Sequence, residues 1–157
     1  MKLLFNVFIV AQIFGVSSLK SADFELKDGD RVAFIGDAFV ERMQEYNHLE
    51  LYLTTAWPGR DITFRNLGWS GDTPRGVSRA GLSLQQAGRE SADEGWKQLQ
   101  KQIELVKPTV VFLGYGMASS FENKPEQFGK DMRVLKAAIT KASGVSVRFI
   151  VISPIRH

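Results

Sequence analysis

The chain has 157 residues, 20 Lys+Arg against 17 Asp+Glu, 44% apolar and 24% charged side chains, and no cysteine, the profile of one ordinary globular domain. A disulfide scaffold and a cysteine-based zinc site are excluded. His48 and His157 are the only histidines, too few for the usual imidazole-based metal centre, and no metal or other cofactor is expected. The net charge of +3 is spread along the chain without a Lys/Arg block, so no nucleic-acid partner is expected.

Residues 1–22 read as a secretory signal peptide, with residues 23–157 as the domain. Met1-Lys2 is a short basic start, Leu3 to Val16 is apolar, and Ser17 to Ala22 is a tail of mostly small residues. The apolar stretch is 14 residues long and carries Asn6 and Gln12, short of the roughly 20 residues that cross a bilayer. The alternative is an uncleaved anchor. Cleavage would remove Lys2 and Lys20 and leave a nearly neutral domain, secreted or periplasmic, with no stable membrane span.

Arg31 to Ile35 follows the turn signal Asp28-Gly29-Asp30 and is bounded by Gly36, which predicts a buried strand. Phe39, Met43, Tyr46, Leu49, Leu53 and Trp57 recur at spacings of three and four, predicting one long helix that Pro58-Gly59 stops. Residues 61–66 alternate apolar and polar, with Ile62, Thr63 and Phe64 favouring a second strand. Residues 67–92 hold five Gly and show no sustained period, which predicts a long loop.

Trp96, Leu99, Ile103 and Val106 predict a helix closed by Lys107-Pro108, and Thr109 to Leu113 a third buried strand ending at Gly114. Phe128, Met132, Leu135, Ala138 and Ile139 predict a helix stopping near Gly144, and Ser146 to Ile152 a fourth strand. The alternation β-α-β-α-β-α-β demands right-handed crossovers and a parallel sheet with helices on both faces, a three-layer α/β/α domain. Its crevice lies beyond the carboxyl ends of the strands.

Gly36 to Val40, Leu67 to Arg79, Gly114 to Phe121 and Ser153 to His157 occupy those ends, and the first three are informative. Gly36-Asp37-Ala38-Phe39 sits where a strand turns into a helix, whose N–H groups can hold an oxyanion; the plainer reading is a turn capped by Asp37. Asn66-Leu67-Gly68-Trp69-Ser70-Gly71-Asp72-Thr73 gathers two glycines, a hydroxyl, an amide and a carboxylate, a composition suited to presenting N–H groups to reacting oxygens. Its plainer reading is an Asx/Gly turn with Trp69 as a lid. Gly114-Tyr115-Gly116-Met117-Ala118-Ser119-Ser120-Phe121 carries two glycines that let backbone approach a ligand.

Together these segments resemble the SGNH/GDSL hydrolase family, over about 130 residues. Gly36-Asp37-Ala38 looks like the family's first block, Gly-Asp-Ser; Asn66 to Thr73 is very similar to the second; Gly116-Met117-Ala118-Ser119 sits where the third has Gly-x-Asn-Asp. The wording of residues 29–32, 64–73 and 153–157 resembles secreted members from planctomycete-type bacteria. The resemblance implies a flavodoxin-like sheet and hydrolysis of a small-molecule ester, often an acyl group on a sugar or lipid. It implies a nucleophile at Ala38, and an oxyanion hole built from the Ala38 N–H, Gly71 and the position of Ala118. Gly36, Asp37, Asn66, Ser70, Asp72, Thr73 and Gly116 would support that site.

The pattern is broken in three places. A methyl group at Ala38 cannot attack a carbonyl. Ala118 stands where the family has an oxyanion Asn. The family's last block, Asp-x-x-His, follows a fifth strand; here Pro154 stands three residues before His157, so no catalytic role passes to that histidine. Four strands of the usual five would leave a sheet edge uncovered, and a truncated chain is the expectation.

Ser70, Ser119 and Ser120 lie at strand ends but need a base. His48 is expected on the first helix, about three turns from the crevice, or simply as a packing residue. Asp37 and Asp72 could form a carboxylate pair for glycosidic chemistry, or serve as turn and cap residues. Two readings follow: an exported ester hydrolase with an altered nucleophile, or a non-catalytic relative binding a carbohydrate or acyl group against Trp69, Tyr115 and Phe121.

Overall fold

The computed structural model describes residues 24–79, 88, 93–121 and 124–153. The expected signal peptide, most of the stretch 80–92 and the end from Pro154 to His157 lie outside the described residues.

Four strands form one parallel sheet: β1 (Arg31–Gly36), β2 (Thr63–Asn66), β3 (Val110–Gly114) and β4 (Arg148–Val151), in the order β2-β1-β3-β4. Gly36 pairs with Gly114, and Phe34 with both Asn66 and Phe112. The helices are α1 (Ala38–Tyr46), α2 (His48–Ala56), α3 (Glu94–Val106), a single turn α4 (Met117–Ser120) and α5 (Pro125–Ser143). The three-layer α/β/α architecture read from the sequence is the one observed.

Side-chain alternation along the strands divides the core in two. Ala33 and Ile35 of β1 and Val111 and Leu113 of β3 face Leu99 and Ile103 of α3 and Leu135 and Ile139 of α5. Val32 and Phe34, with Val110 and Phe112, face Val40 of α1 and Leu53 of α2, closed by Leu26. All five residues of β3 are buried, and a strand buried on both faces reads as a continuous apolar run. Truncating Leu99 or Leu135, both fully buried, would cost about 2–5 kcal/mol.

Two expectations need correction, and a third segment gains an element. The single helix across residues 39–57 is two helices, broken at Asn47, which sits in the left-handed region (φ 49°) and donates its N–H to the Met43 carbonyl. Asparagine tolerates that conformation where most residues do not. The apolar spacing continues across the break, but Tyr46 is 68% exposed and its ring stacks on His48 instead of entering the core. The loop after β2 contains a 3₁₀ turn, Val77–Arg79. The glycine-rich segment after β3 contains α4.

At the amino ends of the strands, Asp30 accepts from the Thr109 hydroxyl at 2.7 Å and from Arg148. The Arg31 N–H donates to Thr109 Oγ1 at 3.0 Å. These bonds lock β1, β3 and β4 in register at the end opposite the crevice. No helix among the described residues is long and apolar enough to cross a membrane.

Candidate functional site

Asp37 organises the crevice. It is the N-cap of α1, 1% exposed, and its Oδ1 accepts the Phe39 N–H at 3.2 Å. Its Oδ2 accepts the N–H groups of Gly116, Met117 and Ala118 at 3.1, 3.0 and 3.5 Å. One buried carboxylate therefore satisfies the start of α1 and fastens the segment after β3 to it, a charge-assisted arrangement stronger than neutral hydrogen bonds. Gly36 and Gly114 make this approach possible. A Cβ at Gly36 would stand 2.3 Å from the Gly114 carbonyl oxygen and 2.4 Å from Val40 Cγ2.

The segment after β2 is held by its own polar residues. Asn66 donates through Nδ2 to the Val40 carbonyl at 2.7 Å and accepts the Gly68 N–H at 2.8 Å. Trp69 donates its N–H to the Gly36 carbonyl at 3.0 Å. A Cβ at Gly68 would lie 2.4 Å from the Glu41 nitrogen, so only glycine lets this loop rest on α1. Gly71 adopts φ +69°, within the turn closed by the Asp72 N–H on the Trp69 carbonyl at 3.1 Å. The Thr73 carbonyl accepts the Gly76 N–H at 2.8 Å.

Beneath that loop lies a polar cluster invisible in the sequence patterning. Asp72, Arg79 and Tyr115 are 0%, 3% and 3% exposed. Arg79 donates to Asp72 Oδ2 at 2.8 Å, to Gln102 Oε1 at 2.9 Å and to the Leu67 carbonyl at 2.6 Å. The Tyr115 hydroxyl donates to the same Asp72 oxygen at 3.2 Å. Burial pushes the Asp72 carboxyl above its ordinary range, against the pull of the Arg79 guanidinium. Burial, together with the Asp72 charge, pushes the Tyr115 hydroxyl well above its ordinary value and keeps it a donor. Arg79 is the site-supporting residue that sequence reasoning missed.

The three strand-end segments thus meet through backbone and carboxylate bonds. The N–H groups of Ala38, at the first position of α1, and of Gly71 have no protein acceptor among the described residues, as the opening turn of a helix allows. Ala38 and Ala118 are half-buried and Ser70 is exposed. Asp37 and Asp72 both point into the protein, so they do not form a solvent-facing carboxylate pair. Tyr115 is buried with its hydroxyl engaged and offers no flat surface to a ligand, whereas Trp69 and Phe121 are 42% and 86% exposed. His48 starts α2, on the far side of the break at Asn47 from Ala38. It lines a separate apolar groove with Phe39, Met43, Leu49, Phe112 and Ile150.

No family model matches the chain, and no curated protein matches it. Two solved structures share its fold. The periplasmic domain of a Salmonella ser. Paratyphi A lipopolysaccharide acetyltransferase has a TM-score of 0.57 at 22% identity, over 82% of this chain and 46% of that one. BT4096, a gut microbial diltiazem-metabolizing enzyme, has a TM-score of 0.52 at 22% identity, over 81% of this chain and 27% of that one. The chain spans less than half the length of either. At this identity the likeness is one of fold.

Proposed function

We propose that the crevice is an acyl-ester site of the SGNH/GDSL hydrolase type, on an exported domain, holding the carbonyl oxygen of a small-molecule ester or acylated carbohydrate. The observation that carries this reading is the pair of N–H groups, Ala38 and Gly71, that have no protein acceptor among the described residues, on two loops fastened together by the Trp69 to Gly36 hydrogen bond. Preorganised backbone donors at a strand-to-helix turn stabilise an oxyanion because they need not reorient when charge develops. The fold shared with a lipopolysaccharide acetyltransferase periplasmic domain supports an acyl group as the ligand and an extracytoplasmic location.

In a hydrolase of this type a serine at position 38 attacks the carbonyl and a histidine takes its proton. With Ala38 there, that attack is lost, which costs on the order of a millionfold in a serine hydrolase. Ala118 also withholds a side-chain donor, worth about a hundredfold or more. A second reading is therefore that this chain binds the acylated carbohydrate without cleaving it, with the exposed faces of Trp69 and Phe121 as stacking surfaces.

The Ala38→Ser variant, made in the full-length protein so that any general base is present, separates the two. Hydrolysis of p-nitrophenyl acetate and calorimetric binding of an O-acetylated methyl glucoside are measured on the parent chain and the variant. A gain of about tenfold or more in hydrolysis assigns the hydrolase-type site. Ester binding without such a gain assigns the binding reading, and absence of both overturns the acyl-ester site.

A further inference from the structure

A cleft opens beside the crevice, between residues 73–77 and α5, in two connected lobes. The smaller, about 140 Å³, is bordered by Thr73, Arg75, Ser119, Lys124 and Asp131. The larger, about 330 Å³, shares Arg75, Val77 and Asp131 and adds the half-buried indole of Trp96 with Pro74 and Val134. Small-ligand pockets begin near about 300 Å³, so the larger lobe has room for a sugar ring and the smaller for a substituent.

The charges are unevenly placed. Neither Arg75 nor Lys124 makes an ion pair among the described residues. The carboxylate at their side, Asp131, accepts from Gln127 Nε2 at 2.8 Å. In the larger lobe Asp93 faces Lys97 at 3.2 Å. Excess positive charge therefore sits at the smaller lobe, next to the hydroxyl-bearing residues Thr73 and Ser119 of the second and third crevice segments. An anion there gains two charge-assisted partners, and the guanidinium fork of Arg75 suits the oxygens of a carboxylate or phosphate.

We propose that this cleft binds an acidic sugar, its ring against Trp96 and its carboxylate or phosphate between Arg75 and Lys124. The proposal rests on the reading of the crevice as an acylated-carbohydrate site and names the class of carbohydrate: an anionic one. The smaller lobe is bordered by Thr73 and Ser119, two residues along the chain from Gly71 and one from Ala118, which sets the cleft beside the crevice.

The test is calorimetry in low-salt buffer with D-glucuronate, D-glucose and D-glucose 6-phosphate, on the parent chain, on the double variant Arg75→Gln/Lys124→Gln, and on Lys101→Gln. Lys101 is exposed on α3, outside both lobes, so its variant controls for the loss of a positive charge elsewhere on the surface. Glucuronate is expected to bind at least about tenfold more tightly than glucose, with the preference lost in the double variant and kept in Lys101→Gln. Glucose 6-phosphate binding as tightly as glucuronate supports a general anion lobe; weaker binding assigns the carboxylate. Equal binding of glucose and glucuronate, absence of binding, or a preference that survives the double variant would overturn the proposal. None of these probes carries an ester, so failure here leaves the acyl-ester reading to the Ala38→Ser test, which uses neutral esters.

Discussion

The Met117 N–H donates to Asp37 Oδ2 at 3.0 Å across 80 residues of chain, and this bond joins the first and third strand-end segments. The same carboxylate caps α1, so a single side chain sets both the entry angle of the helix and the course of the backbone after β3. Replacing Asp37 by alanine orphans up to four N–H groups at once. The expected loss is about 2–4 kcal/mol in urea unfolding. A loss below about 0.5 kcal/mol would show that the fastening is not structural.

Arg79 is expected to matter more than any other charged residue of the loop. The variant Arg79→Met leaves the Asp72 carboxylate buried without its cation, at a cost of about 3–5 kcal/mol. Adding Asp72→Asn removes the stranded charge, so the double variant should be more stable than the sum of the single losses. Denaturant midpoints of the four proteins in the cycle test this, and additive losses would contradict the pairing.

Close approach at the crevice corner makes Gly36→Ala costly, because the new Cβ would meet the Gly114 carbonyl, which belongs to the paired strand and cannot swing aside. A loss of about 3 kcal/mol is expected. Thermal unfolding checks it, and a variant as stable as the parent would mean that α1 and β3 sit further apart.

The amino-end anchor gives a pH dependence. Burial would raise the Asp30 carboxyl, but hydrogen bonds from Arg148, the Lys27 N–H and Thr109 outweigh it and hold the group below its ordinary value of 3.8. A carboxyl held low in the folded state contributes stability that is present above 3.8 and lost as pH falls through the folded value. The parent should therefore lose stability below pH 3.8 more steeply than Asp30→Asn. Parallel stability curves from pH 6 to pH 2.5 would contradict that assignment.

The sheet was legible because parallel strands buried on both faces write themselves as apolar runs: Arg31 to Ile35 and Thr109 to Leu113 lie within a residue of the observed β1 and β3. The break at Asn47 was not legible, since Tyr46 and Leu49 keep the helical spacing while a left-handed residue turns the chain between them. At the crevice, the composition of residues 36–38, 66–73 and 114–121 identified which segments meet. Their internal wiring stayed hidden, because hydrogen bonds between residues far apart in the chain, such as Tyr115 to Asp72, leave no local period. Arg79 looked like one more polar residue in a glycine-rich loop, and only the fold places it under Asp72. Tyr115 looked available to a ligand because an aromatic beside two glycines says nothing of which way its ring turns.

The central claim is that the N–H groups of Ala38 and Gly71 hold the carbonyl oxygen of an ester. Its most direct measurement is a titration of the ¹⁵N-labelled chain with an O-acetylated methyl glucoside, and with the deacetylated sugar as control, followed through the amide resonances. The account predicts downfield shifts of the Ala38 and Gly71 amides together, saturating at one concentration and absent with the control. Shifts that bypass both amides, or that the deacetylated sugar reproduces, would contradict it.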